Sequence, residues 1–269
     1  KNNDKAFSQE LSSQADLFVN DAFGVSHRNH ASIVGIPQLL PSCGGLLLKK
    51  EVESISKAIN NPQKPYVALI GGAKISTKLH LLDRLLGLAD TLIVGGGIAN
   101  TLLAAQGHHI GRSLEEPQEH EHGKKLIELA KQKNTELILP LDVVVAEQKD
   151  TDQVMVKNIN EVQEREFILD IGPQTDAHYA LYIATAKTII WSGPFGYIEN
   201  PLCRRGTDFI YYSIAENQQA ISIVGGGETL SAISKKEHLE KITHISTGGS
   251  AMLEFIEKGS LPGLDALSH

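Results

Sequence analysis

Residues 66–97 read YVALIGGAKISTKLHLLDRLLGLADTLIVGGG: an apolar run, a glycine turn, an amphipathic stretch, and a second apolar run ending in three glycines. A continuous apolar run leaves no polar face for water, so it reads as a strand buried on both sides. A helical period between two such runs makes the unit β–α–β with parallel strands. Working outward, the pattern repeats. ELILP, KTIIW, AISIV and THIS join YVALI and TLIVG, six candidate strands in all, which predicts an α/β fold built on a doubly wound, parallel, six-stranded sheet. Between ELILP and KTIIW, the runs DVVVAE, QVMVK and REFILD predict a smaller β excursion whose pairing the pattern does not give.

The first sixty residues differ. A short amphipathic segment around Ala6 to Leu11 leads into a strand expected in DLFVNDAFG, and the polar turn SHRNHAS comes next with Ser26, His27, Arg28 and His30. After Pro41 and a glycine pair, Leu47, Leu48, Val52, Ile55 and Ile59 recur at helical spacing, which predicts a connecting helix over residues 43–60. Pro62 and Pro65 stop that helix ahead of YVALI, so a domain boundary is expected near residue 60.

With 269 residues the chain can bury a full core, and 41% hydrophobic with 21% charged residues argues against disorder and a coiled coil. A formal net charge of −7 argues against nucleic acid or an anionic membrane as the main partner, because both are met by basic surfaces. Any anionic ligand must then be caught locally. Cys43 and Cys203 form no metal-ligand spacing and read as incidental thiols in a reducing compartment. No apolar run approaches the ~18 residues of a membrane span, and the polar start lacks the apolar stretch of a signal peptide. The expectation is a cytoplasmic protein.

Five strand ends carry glycine turns: Gly71-Gly72, Gly95-Gly96-Gly97, Ser192 to Gly196, Gly225-Gly226-Gly227 and Gly248-Gly249. One such turn merely reverses a chain. Five at the carboxyl ends of strands in one open sheet converge where such sheets bind ligands. Lys74 and Lys78 stand at i and i+4 in what reads as the first turns of a helix with Ile75, Leu79, Leu82 and Leu86, so they are expected to share one face. Two cations there oppose the helix macrodipole by about 0.3–1 kcal/mol each, which makes sense beside a polyanion. Glu228 stands after a triple glycine and before a helix; it either partners that helix dipole or holds Mg²⁺ bridging nucleotide oxygens, and the residues alone leave both open. Thr247-Gly248-Gly249-Ser250 offers backbone N–H groups at another helix start, suited to a phosphoryl group. Glu199, past Gly196, is an acid that could accept ribose hydroxyls. GxxxxGK[ST] is absent, and both triple-glycine turns break GxGxxG at Asn100 and Leu230, so neither a P-loop ATPase nor an ordinary dinucleotide dehydrogenase is supported.

Read in order, VNDAFGVSHRNHAS, LIGGAKIS, VGGGIANT, LDIGP, WSGPFGYIE, VGGGETL and ISTGGSAMLEF resemble the phosphoglycerate kinase family almost from end to end. The resemblance implies a monomeric enzyme with a nucleotide lobe for Mg²⁺ with ATP or ADP and an N-terminal lobe for 3-phosphoglycerate or 1,3-bisphosphoglycerate. A hinge would close them so that the γ-phosphoryl passes to the carboxylate. On matching positions it implies that Lys74 escorts the transferring phosphoryl and Lys78 grips the nucleotide phosphates. Gly96, Gly97, Leu169 and Glu199 would surround adenine and ribose; Gly225, Gly226, Gly227, Glu228 and Thr229 would form the metal and phosphate turn. Gly248 and Gly249 would form the transfer nest, and Arg28 with His27 would face the substrate. Residues 1–42 then correspond to a remnant of the substrate lobe, 43–60 to the connecting helix, 61–255 to the nucleotide lobe and 256–269 to a C-terminal tail.

The sequence also departs from the family. Ser192 stands where Asn is usual, Glu228 where Asp is, Ser250 where a third Gly is, and Thr77 replaces a common Asp. The family's Asp-Asn strand motif and several phosphoglycerate-holding arginines find no match, which leaves Arg28. The chain is therefore expected to correspond to the last two-thirds of the enzyme, the alternative to turnover being a nucleotide-binding fragment.

Overall fold

The structure, a computed structural model, describes residues 2–267. In chain order the regular elements begin with α1 (Lys5–Ser12), β1 (Phe18–Asn20), β2 (Ser42–Gly44), α2 (Leu46–Asn60), β3 (Tyr66–Ile70), α3 (Leu79–Leu85), β4 (Thr91–Val94) and α4 (Gly96–Ala105). Then come α5 (His120–Lys133), β5 (Glu136–Ile138), β6 (Asp142–Ala146), β7 (Met155–Asn158), β8 (Phe167–Ile171), α6 (Pro173–Thr185) and β9 (Thr188–Ser192). The chain continues through α7 (Arg205–Glu216), β10 (Ile221–Gly225), α8 (Gly227–Ala232), β11 (His244–Ser246), α9 (Gly249–Lys258) and α10 (Pro262–Asp265). These elements pack into two compact units: Lys1–Asn61 with Gly225–Gly227 and Ser246–His269, and Pro62–Val224 with Glu228–Ile245.

The larger unit is organised by the expected six-stranded parallel sheet, in the order β11-β10-β9-β3-β4-β5. Every residue of β3 and β9 is buried, which is why both read as unbroken apolar runs. The chain enters at β3, moves outward through β4 to β5, then returns past β3 to β9 and moves outward the other way. Strand order thus reverses between β3 and β9, the topological switch point of a doubly wound sheet. Helices α6 and α7 cover one face through Tyr179, Ile183, Ile210, Tyr211 and Ile214, packed on Trp191 and Leu69. Between β5 and α6 lies the β excursion, an antiparallel sheet ordered β7-β6-β8 with a bulge at Val144/Val145. Val143 and Val145 anchor it by packing with Leu103 of α4 and Ile110.

In the smaller unit, β1 and β2 pair in parallel and α2 begins directly after β2. The Asp21 carboxylate accepts from the backbone N–H of Leu48 at 2.9 Å, satisfying a donor in the first turn of α2. Phe23 meets Phe255 of α9 edge to face, with ring centroids 6.3 Å apart. The strand expected across DLFVNDAFG is confined to Phe18–Asn20, because Phe23–Val25 close into a short 3₁₀ turn. The expected connecting helix starts at Leu46, after β2. Sequence reading grouped residues 246–255 with the nucleotide lobe; they pack with residues 1–61 because α9 lies on α2 and on the Phe23 turn.

One expectation about the site fails. Residues 74–78 form no helix: α3 begins at Leu79, with Lys78 as its N-cap residue at φ −129°, ψ 6°. Lys74 and Lys78 therefore do not share a helical face. The loop closes on itself instead, Lys78 N–H donating to Ile75 O at 2.8 Å and Thr77 Oγ1 to Lys74 O at 3.0 Å.

Candidate functional site

At the switch point the turns after β3, β4 and β9 meet backbone to backbone. A Cβ on Gly71 would lie 2.1 Å from Pro194 O, and one on Gly97 would lie 2.1 Å from Ala73 O, so only glycine permits the approach. Gly72, Gly96 and Gly193 have φ of +119°, +62° and +89°, left-handed conformations that glycine adopts without a steric penalty. Behind the β9 turn, Trp191 Nε1 donates to Gly193 O at 2.9 Å, and Gly193 N–H donates to the Thr229 hydroxyl at 2.8 Å. Thr229, read as a phosphate ligand, is 1% exposed and spends this contact on shaping the turn.

A cavity of about 310 Å³ opens at this junction, entirely within the larger unit. Gly96, Gly97, Leu169, Glu199 and Glu228 all line it. Leu169 is buried among Ala146 and Cys203, while Glu199 and Glu228 are exposed. Neither Lys74 nor Lys78 lines the cavity itself. Lys78 points its ammonium at the glycine rim, donating to Gly71 O at 2.5 Å and lying 3.1 Å from where a Cβ on Gly72 or Gly193 would stand. Burial pulls its pKa below the ordinary lysine value, and the Glu228 charge pulls the other way. Lys74 is exposed on the loop.

Several lining residues escaped sequence reading. Lys149, Phe167 and Tyr197 form one wall, with Lys149 Nζ 5.2 Å from the Phe167 ring centre and 5.8 Å from that of Tyr197; Arg112 also stacks on Phe167, at 4.7 Å. Such cation–aromatic contacts pre-shape a flat surface. Lys149 and Phe167 come from an irregular segment and a strand end with no glycine or charge pattern, so only the pairing of the β excursion could have revealed them; Tyr197 directly follows the glycine turn of residues 192–196. Asp170 lies deeper: its carboxylate accepts from Gly206 N–H and Ile171 N–H, each at 2.9 Å, and burial pushes its pKa up to about 8 against those donors.

The remaining candidates belong to the smaller unit. Gly248 is the N-cap residue of α9 and Gly249 its first residue; a Cβ on Gly249 would lie 3.3 Å from Gly226 Cα, so the two glycine turns face each other. Gly226 has φ +92°, and a Cβ on Gly225 would overlap Met252. Gly227 opens α8. Thr247 donates from both N–H and hydroxyl to Glu51 Oε1, at 2.6 and 2.7 Å, which fixes the turn leading into α9. Arg28 is exposed; His27 beside it has its pKa lowered by burial and by Arg28, with Glu254 opposing.

The donor set fits a magnesium ion carried by a nucleotide. Among the described residues no group of three or more His, Cys, Asp or Glu could hold a metal by itself. Mg²⁺ on phosphates needs one or two carboxylates and keeps several waters. Glu228, exposed at the cavity beside the Lys78 charge, supplies one such carboxylate.

Comparison with known proteins gives a consistent result. A family profile described as "Phosphoglycerate kinase" matches residues 1–259. A relative of that name from Moorella thermoacetica is 44% identical over 268 residues, 99% of this chain and 68% of its own length. One from Clostridium novyi is 45% identical over 269 residues, covering 67% of its length. Among solved structures, the phosphoglycerate kinase of Coxiella burnetii aligns with a TM-score of 0.92 at 44% identity, over 99% of this chain and 69% of that one. The phosphoglycerate kinase of Pyrococcus horikoshii aligns at 0.82 and 30% identity over the same shares.

Proposed function

Because the chain belongs to the phosphoglycerate kinase family, we propose that it takes part in reversible phosphoryl transfer between ATP and 3-phosphoglycerate, giving ADP and 1,3-bisphosphoglycerate. The observation that carries the reading is the cavity at the sheet's switch point, rimmed by glycine turns with a half-buried lysine and an exposed carboxylate at its edge. In the transfer, the bond from the γ-phosphorus to the β-γ bridging oxygen breaks and one to a substrate carboxylate oxygen forms. The nucleophile is already deprotonated, so no general base is required. Catalysis reduces to positioning and charge stabilisation.

The side chains divide that work. Gly96, Gly97, Leu169, Phe167 and Tyr197 receive base and ribose, with Glu199 accepting ribose hydroxyls. Lys78 holds the resting phosphates. Lys74, on its long side chain, is assigned to the phosphoryl in flight, and Gly248 and Gly249 offer N–H donors at the start of α9. Glu228 would hold Mg²⁺, which when bound would neutralise phosphate charge. Arg28 and His27 contribute to the acceptor side. The protein is proposed to act in the cytoplasm as a monomer; no helix among the described residues is long and apolar enough to cross a membrane.

A second reading is nucleotide binding without turnover by residues 1–269 as such. It is favoured by coverage, since the chain matches 67–68% of the length of relatives such as those of Clostridium novyi and Moorella thermoacetica. Calorimetry with Mg·ADP and a coupled assay with 3-phosphoglycerate on one sample separate the readings. Binding with turnover supports the first, binding alone the second, and no binding refutes both.

A further inference from the structure

The loop bearing both lysines has no helix or strand to hold it, so its shape must be imposed from elsewhere. Ile75 is fully buried and fixes one point. The other comes from Glu116, forty residues on: its Oε2 accepts from Ser76 N–H at 2.8 Å and its Oε1 from the Ser76 hydroxyl at 2.7 Å. Glu116 is itself held. Its N–H donates to Thr101 Oγ1 at 3.1 Å, and that hydroxyl donates to Gly97 O at 2.8 Å. Asn100 Nδ2 adds a bond to Leu114 O at 3.1 Å. One connected path therefore runs from the glycine turn lining the cavity, through α4 and Glu116, to the residue midway between Lys74 and Lys78.

The chemistry of the grip selects a carboxylate. A carboxylate accepts from both the N–H and the hydroxyl of Ser76, whereas an amide could meet the pair only by turning the hydroxyl into an acceptor, and it would lose the charge that strengthens both bonds. Glu116 is 8% exposed, and an ionised group so placed needs compensation. Burial opposes its charge, but the N–H and hydroxyl of Ser76, the Lys74 charge and the Ile75 N–H together hold its carboxyl below the ordinary value.

We propose that Glu116 is a positioning residue for phosphoryl transfer, setting the Lys74–Lys78 loop at a fixed distance from the nucleotide cavity through its double hydrogen bond to Ser76. Glu116 is not among the residues that line the cavity. It acts through Lys74, whose misplacement by about 1 Å would cost on the order of 10²-fold in rate. The inference rests on the phosphoryl-transfer reading above.

The test compares Glu116→Gln and Ser76→Ala in the full-length protein. Glu116→Gln is expected to lower kcat roughly 10- to 100-fold while the KM for ATP and the Kd for Mg·ADP stay within about threefold. Ser76→Ala removes one of the two bonds and is expected to lower kcat by a smaller factor. Amide exchange at Ile75, Ser76 and Thr77 should rise about tenfold or more in Glu116→Gln, since their protection is set by local opening. Unchanged kcat and unchanged exchange overturn the proposal, as does a kcat loss matched by an equal loss of nucleotide affinity. If Glu116→Gln does not fold, the exposed Ser76 decides alone, and an unaltered kcat in Ser76→Ala overturns it. Turnover of the unaltered protein is measured alongside: its absence would sink the reaction, whereas exchange that fails to respond would sink the role of Glu116.

Discussion

Lys78→Met separates a ligand-binding cation from a structural one. The unbranched thioether keeps most of the stem's volume and removes the charge. In the free protein two effects compete: the ammonium's hydrogen bond to Gly71 O at 2.5 Å is lost, but so is the desolvation that already depresses this lysine's pKa. The net change is then within about 1 kcal/mol, or ~2–4 °C in Tm for a chain of this size. Nucleotide binding has no such offset. A charge-assisted contact to phosphate is worth about 1.5–3 kcal/mol, so the Kd for Mg·ADP should rise roughly 10- to 150-fold. The pH dependence gives an independent sign. With its folded pKa lowered, Lys78 binds its proton less tightly than in the unfolded chain. Its contribution to stability is therefore lost as pH falls through the folded pKa and regained toward the ordinary lysine value. Phosphate favours the charged form and raises that pKa, so binding in this alkaline window takes up protons. Calorimetry in two buffers of different ionisation enthalpy should detect the uptake in the native protein and find it missing in Lys78→Met. A Kd unchanged within twofold together with a Tm fall beyond about 8 °C would show that Lys78 props the turn and binds nothing.

The other predictions concern the rest of the site. Lys74→Ala should cut kcat on the order of 10²-fold or more and leave the Kd for Mg·ADP within about threefold, because the proposed function assigns this exposed loop lysine to the transition state; equal small effects of this change and of Lys78→Met defeat the division of roles. Glu228→Gln should weaken ADP binding in saturating Mg²⁺ but not in chelator; loss of affinity in neither condition makes Glu228 a helix-dipole partner. Gly97→Ala puts a Cβ 2.1 Å from Ala73 O, an overlap costing about 1–3 kcal/mol, and should weaken Mg·ADP binding in calorimetry at least tenfold while circular dichroism stays native. Asp170, with its pKa raised to about 8, keeps its proton in the folded state while the unfolded chain has lost it. Stability should therefore fall as pH rises from about 4 to 8, and Asp170→Asn should flatten that slope in a Tm-versus-pH series.

What could be read from the residues tracks how local the cause is. All six strands of the parallel sheet were legible because strands such as β3 and β9, buried on both faces, have no alternative to unbroken apolar runs. The β excursion was visible but its order was not: β7 is exposed or half-buried throughout, and pairing β6 with both β7 and β8 is a non-local choice. Lys74 and Lys78 stood at helical spacing, yet spacing cannot show that a loop folds back through Ile75 and is gripped by Glu116 from forty residues away. Glycine turns announced the cavity; Lys149 and Phe167, which finish its wall with Tyr197, carry no signature of their own.

Two requirements met in different parts of the chain explain why the site is assembled this way. Strands buried on both faces leave no side chains free for a ligand, so contact must come from the turns at their carboxyl ends. Where the β3, β4 and β9 turns touch, side chains are excluded altogether, since a Cβ at Gly71 or Gly97 would overlap a carbonyl oxygen. That junction can offer only backbone and a narrow rim. Charge has to be brought in from the sequence just downstream, by Lys78 from the loop before α3 and Glu228 from the first turn of α8. Flat apolar surface has to come from the β excursion and the Tyr197 turn. Under the proposed function the residues given to the base, Phe167 and Tyr197, and those given to phosphate, Lys78 and Glu228, stand on separate segments, so substitution of Phe167 or Tyr197 should change the preference among bases while the contribution of Lys78 to phosphate binding stays the same.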